Sequence, residues 1–167
     1  MYSSGDVVSY AAQGVCRIRG IEMREIAGQK RDYYVLCPIR DEHSTVYVPT
    51  DSERLLANMR PVLTKDEIND LIDTLKSGEN EWICDESERR EIFSQAVRSG
   101  DRVQLIKLID MLYLHQLGLK AQKKHIHVSD ERCLREAERL LHDEVAFVLG
   151  IPVEKVPQYI RKCLGRA

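Results

Sequence analysis

A change of period divides this chain near Pro61. Before it, apolar residues come in short runs that alternate with polar or small ones, the pattern of half-buried strands. After it, they recur every three or four residues, the pattern of helices with one buried face. The strand runs are Val7-Val8-Ser9-Tyr10, Val15 to Ile21, Asp32 to Cys37 and Ser44 to Val48. Ala27-Gly28-Gln29-Lys30 and Asp41-Glu42-His43 read as turns between them, and Pro49, which has no N–H to give a ladder, closes the last run. Five or so short strands in sixty residues are too few for a sandwich. They are expected to close into a small SH3-like or Tudor-like barrel, which would leave no exposed edge.

The helical half opens on Thr64 with Glu67 three residues later, a capping box, followed by Ile68, Leu71, Ile72 and Leu75 at helical spacing. Ser77-Gly78 ends that helix, and Gly78-Glu79-Asn80-Glu81 is the best linker. A second helix is expected over about 87–98, closed by Ser99-Gly100. Asp101 then caps a third with Leu105, Leu108, Ile109, Leu112 and Tyr113 on its inner face. Gly118 to Val128 reads as a loop, and Ser129 or Asp130 caps a fourth helix that runs to Gly150. Pro152 suits the first turn of a short last helix through Val156, Tyr159 and Ile160. The expected fold class is α+β in two domains: a β-barrel domain at 1–62, a connecting helix and linker at 63–81, and an all-α domain at 82–167.

Net charge over the 167 residues is −2, but its distribution is uneven. Residues 1–81 carry 10 Lys and Arg against 14 Asp and Glu, and residues 82–167 carry 15 against 13. The second half is too weakly positive for a free-standing DNA binder, and suits a chain whose DNA contact is helped by a protein partner already bound there. No run approaches the roughly 20 apolar residues that span a bilayer, and no signal-peptide pattern opens the chain, so a cytoplasmic location without membrane contact is expected. The five cysteines, Cys16, Cys37, Cys84, Cys133 and Cys163, form no CxxC pair and are expected as free, chiefly buried thiols. His125-x-His127 with Cys133 lacks the fourth ligand of a structural zinc site. Neither an isolated carboxylate pair, a glycine-rich phosphate loop nor a GxSxG elbow is present, so no enzymatic activity, metal or cofactor is expected.

Several motifs, in order along the chain, go beyond these generic patterns. Gly5-Asp6-x-Val8-x-Tyr10 with Gly14-Val15, the strand Tyr34-Val35-Leu36, and Val46-x-Val48-Pro49 followed by Met59-Arg60-Pro61 resemble the N-terminal module of the CarD family of bacterial transcription regulators, a module shared with the transcription-repair coupling factor. Ser99-Gly100-Asp101 with Leu105-Ile106-x-Leu108-Ile109, then Ser129 through Leu134, Ala137, Leu140-Leu141 and Glu144, then Leu149-Gly150-Ile151, resemble the same family's C-terminal domain. The resemblance implies a non-enzymatic, monomeric regulator whose barrel docks on the RNA polymerase β subunit by sheet-edge addition. Arg24, Ile26, Tyr47, Val48 and Pro49 would form the docking face. Trp82 would wedge into the minor groove of promoter DNA at the upstream fork, with Arg89, Arg90, Lys123 and Lys124 on phosphates, and so stabilise the open complex with little sequence preference.

Two departures from the family pattern stand out. Sixteen residues separate Trp82 from Ser99, more than in some members, and Tyr47 stands where those members carry an arginine. Bland readings stay open beside the sharp ones: Trp82 as a packed plug, Arg89 and Arg90 as the solvated face of a helix rich in Glu86, Glu88 and Glu91, and Lys123-Lys124 as a soluble loop. The alternative function is a protein–protein adaptor on RNA polymerase that touches no DNA.

Overall fold

In the computed structural model, which describes residues 1–78 and 80–166, the chain divides into two compact units, the first ending at Val62 and the second beginning at Leu63. The first holds strands β1 (Val7–Tyr10), β2 (Gly14–Ile26), β3 (Gln29–Pro38), β4 (Val46–Pro49) and β5 (Met59–Pro61), with a one-turn helix α1 (Glu53–Leu56) between β4 and β5. All pairings are antiparallel, in the order β4-β3-β2-β1-β5. Its core is Val8, Cys16, Ile18, Tyr34, Leu36, Val48 and Met59, with Leu55 and Leu56 of α1 packed against it.

The hydrogen-bonded ladder keeps its two outer edges. Among the described residues β4 and β5 pair on one side only, so the sheet has two edges. With four and three residues respectively these strands are short, which limits the unpaired backbone they present. The long β2–β3 hairpin turns at Ala27 and Gly28, both at positive φ (52° and 76°), the requirement of a two-residue primed turn. Beyond the core this hairpin is exposed on both faces from Glu22 to Asp32.

The second unit comprises α2 (Lys65–Asp73), α3 (Glu86–Ser99), α4 (Arg102–Ala121), α5 (Val128–Leu149) and α6 (Val156–Cys163). Thr64 caps α2 through the full reciprocal box with Glu67. Gly100 ends α3 in the left-handed region at φ 62°, and Asp101 caps α4 by accepting from the Gln104 N–H at 3.0 Å. α4 is buried on two sides: Ile106 joins a core with Ile68, Leu71, Ile72, Leu75, Leu141, Val145 and Val156, while Leu105, Leu108 and Leu112 join another with Phe93, Ala96, Leu134, Ala137 and Leu140. The helix expected to belong to a connecting segment, α2, is thus part of the helical core, because its apolar stripe has partners there. Glu79, inside the expected linker 78–81, lies outside the described residues, and the Asn80 amide donates to the Lys107 carbonyl at 2.7 Å.

Three boundaries differ from expectation. α4 continues through Gly118 to Ala121, an interior glycine being tolerated at a cost of about 1 kcal/mol. α5 starts at Val128, with His127 preceding it, so neither Ser129 nor Asp130 is the cap. Pro152 precedes a 3₁₀ turn, Val153–Lys155, and the proline in the first turn of α6 is Pro157.

Buried ion pairs connect the helices. Glu144, 2% exposed, accepts from Arg102 Nε at 3.0 Å and Nη2 at 2.7 Å, and from the Leu63 N–H at 2.9 Å. It therefore joins α5 to the start of α4 and to the entry of α2. Arg166 pairs with Asp110 of α4.

Candidate functional sites

Residues directly opposite in an antiparallel ladder share a face. The pairings Glu22 with Tyr33, Arg24 with Arg31, Tyr33 with Pro49 and Val35 with Tyr47 therefore put Arg24, Tyr33, Tyr47 and Pro49 on one face of the sheet, with Ile26 in step along β2. The Arg24 guanidinium carbon lies 4.2 Å from the Tyr47 ring centroid, and its Nε donates to Glu22 Oε2 at 3.0 Å. Tyr33 meets Tyr47 edge to face at 6.4 Å. Arg24, Ile26 and Glu22 are exposed, and β4 borders them as an edge strand. The arrangement offers a cation, a phenol and unpaired backbone groups side by side.

Val48 departs from this set. It pairs with Tyr34, faces the core and is 0% exposed, so its side chain cannot touch a partner. The alternation that put Tyr47 outside puts Val48 inside. Tyr33, Arg31 and Glu22 belong to the face and were missed, although the period of two in β3 carried that signal.

In the helical unit Trp82 is half-buried against the core built on Phe93. Its indole stacks on the His115 imidazole, with centroids 3.6 Å apart and planes 8° from parallel. The Arg89 guanidinium carbon lies 4.7 Å from the indole centroid. Arg89 is not the phosphate contact expected of it. Its side chain is 4% exposed and makes a two-pronged pair with Asp130, Nε to Oδ1 at 3.2 Å and Nη2 to Oδ2 at 3.1 Å. Nη1 donates to the Ile83 carbonyl at 3.0 Å and reaches that of Cys84 at 3.4 Å. One buried cation thus fixes both the indole and the backbone that follows it.

Arg90 is exposed and held by Glu86 one turn back at 2.6 Å. Lys123 and Lys124 are exposed in the turn after α4, where cations complement the helix dipole; Lys123 sits at φ 56° and the Lys124 N–H bonds to Leu119 at 2.8 Å. Burial first, and then the charge of Arg89, hold the His115 imidazole below its usual range, with His127 adding to the effect and Asp130 opposing it. At neutral pH the ring that stacks on Trp82 is therefore uncharged. Sequence reasoning missed His115, although it continues the Leu108–Leu112 stripe of α4 by one turn.

The five thiols are free; Cys84 is exposed, Cys16 and Cys37 are buried, and burial pushes the Cys16 thiol up to about 12. Among the described residues, no three His, Cys, Asp or Glu side chains converge as metal ligands, and no helix is long and apolar enough to cross a membrane.

The chain thus joins a β unit with an exposed edge and a cation–aromatic face to a helical unit that holds one indole half-buried. Residues 2–63 match the family model described as the CarD-like/TRCF RID domain. Over 159 residues, 95% of this chain and 99% of the other, the sequence is 23% identical to "Putative transcription factor YdeB" of Bacillus subtilis (strain 168). The first unit is thus similar to the CarD-like/TRCF RID domain, and the chain as a whole is similar along its length to a putative transcription factor.

Proposed function

We propose that this protein is a transcription regulator that docks on RNA polymerase, at its β subunit, through the Arg24–Tyr47 face and the β4 edge. The observation that carries the reading is the 4.2 Å approach of Arg24 to Tyr47 beside an edge strand within a unit similar to the CarD-like/TRCF RID domain. Backbone pairing at the edge supplies affinity, and the arginine and tyrosines select the partner. The helical unit then presents Trp82 to the upstream fork of melted promoter DNA, where an indole at an unstacked step favours the open form. No chemistry is required: binding open complex better than closed raises the open fraction by the ratio of the two affinities. Lys123 and Lys124 are the phosphate contacts left to this reading, Arg89 being buried and Arg90 paired. The protein acts as a cytoplasmic monomer, associated with the nucleoid through polymerase.

The adaptor reading, with no DNA contact, draws support from the packing of Trp82 against His115 and Arg89. Both readings share the docking step. The double variant Arg24→Glu/Tyr47→Ala is expected to weaken co-sedimentation with polymerase core by roughly 30-fold, the size of a lost arginine or tyrosine hot spot. Unchanged binding would remove this face from the account.

A further inference from the structure

The positive charge of the second half is not spread over it. Residues 82–149 carry 11 Lys and Arg against 12 Asp and Glu, whereas residues 150–167 carry 4 against 1. The excess lies in and around α6. On α3 and α5, four arginines have local carboxylate partners, Arg90 with Glu86, Arg98 with Glu91, Arg135 with Glu131 and Arg139 with Glu136, while Arg132 is exposed on α5 with no ion pair among the described residues. Lys155, Arg161 and Lys162 form no ion pair among the described residues. Together with Ile151, Gln158, Tyr159 and Arg166 they line one open groove of about 570 Å³. The groove is firmly built, since Tyr159 donates to Asn69 of α2 at 2.9 Å and Arg166 is tied to Asp110 of α4.

We propose that the α6 groove binds the phosphate backbone of duplex DNA, a second contact distinct from Trp82 and from Lys123-Lys124. It rests on the reading above for its partner and not for its charge. Protein interfaces select aromatic and apolar anchors and are depleted in lysine, while phosphate contacts are made chiefly by Lys and Arg. Lys155 closes the 3₁₀ turn just before α6 and Lys162 lies in the last turn of α6, about 10 Å further along the axis, with Arg161 beside it. That spacing suits a rod of evenly spaced charges, with no base code. The groove gives the regulator a grip that is independent of sequence and strongly dependent on salt.

The test is fluorescence anisotropy of the full-length protein with a labelled random-sequence duplex across a salt series. The triple variant Lys155→Gln/Arg161→Gln/Lys162→Gln keeps helix-forming residues, and its circular dichroism and melting temperature should match those of the unaltered protein. Each phosphate contact contributes about 0.9 to the slope of log K against log salt, so the variant should lose about 2 to 3 from the slope and bind roughly tenfold more weakly at low salt. Trp82→Ala should keep the full slope, so failure of the wedge and failure of the groove are read separately. Coincident curves for the folded variant and the unaltered protein, including no binding by either, would overturn the proposal. So would displacement of the duplex by polyglutamate as readily as by unlabelled DNA, which would assign the groove to an acidic protein partner.

Discussion

Asp130→Ala is expected to destabilise the protein by about 3–5 kcal/mol, because it leaves the Arg89 guanidinium buried with no counter-charge. The pair is 4% and 5% exposed, so little water can replace the lost carboxylate. The effect extends beyond the pair. Arg89 also holds the Ile83 carbonyl and lies against the indole of Trp82, so a displaced guanidinium frees the segment that carries the tryptophan. Trp82 is the sole tryptophan, and its emission should shift to the red in folded Asp130→Ala at low denaturant. Urea unfolding measures the stability loss. Replacing both partners with apolar residues, Arg89→Met with Asp130→Leu, should recover much of the stability but leave the emission shifted, since the carbonyl anchor is gone. A loss below 1 kcal/mol for Asp130→Ala would show that the pair is solvated and does not position the indole.

Acid is expected to destabilise the helical unit through His142. This side chain is 6% exposed, its Nε2 is buried with no hydrogen-bond partner, and burial lowers its pKa from 6.5 to about 4. A depressed histidine binds its proton more readily unfolded than folded. Its contribution to stability is therefore complete above pH 6.5 and is lost as the pH falls toward 4, by roughly 3 kcal/mol in all. Asp110, Glu138, Tyr113, Arg161 and Arg166 line the same crevice. Glu138, whose carboxyl is raised by burial, works in the other direction and loses stability as the pH rises through its range. His142→Leu, of similar volume and without the unpaired nitrogen, isolates the histidine: it should be at least as stable at pH 7 and lose much less stability between pH 6.5 and 4. Parallel pH profiles of the variant and the unaltered protein would place the acid sensitivity elsewhere.

What could be read from the sequence was what is local. The capping box at Thr64, the stop at Gly100 and the cap at Asp101 each involve residues within four positions, and each forms as its pattern implies. Periodicity placed the strands and the inner faces of the helices. Pairing across the chain was not legible. Arg89 and Asp130 are 41 residues apart, and from sequence alone one looks like a surface cation and the other like a helix cap. Glu144 acquires its reason only in three dimensions, where Arg102 and the Leu63 N–H converge on it. Arg24 and Tyr47 are neighbours because β2 and β4 both flank β3, a topology that strand runs alone do not reveal. Val48 was counted as a contact with its neighbours, although strict alternation from Tyr47 already turned it inward.

The central claim is that polymerase-docked protein prolongs the melted state of a promoter through Trp82. Its most direct test is the lifetime of heparin-challenged promoter complexes formed by bacterial RNA polymerase with no protein, with the unaltered protein and with Trp82→Ala. The account predicts that the unaltered protein lengthens the lifetime and that Trp82→Ala loses most of this effect while still co-sedimenting with polymerase. Equal lifetimes with the two proteins, or no lengthening by either, would contradict it.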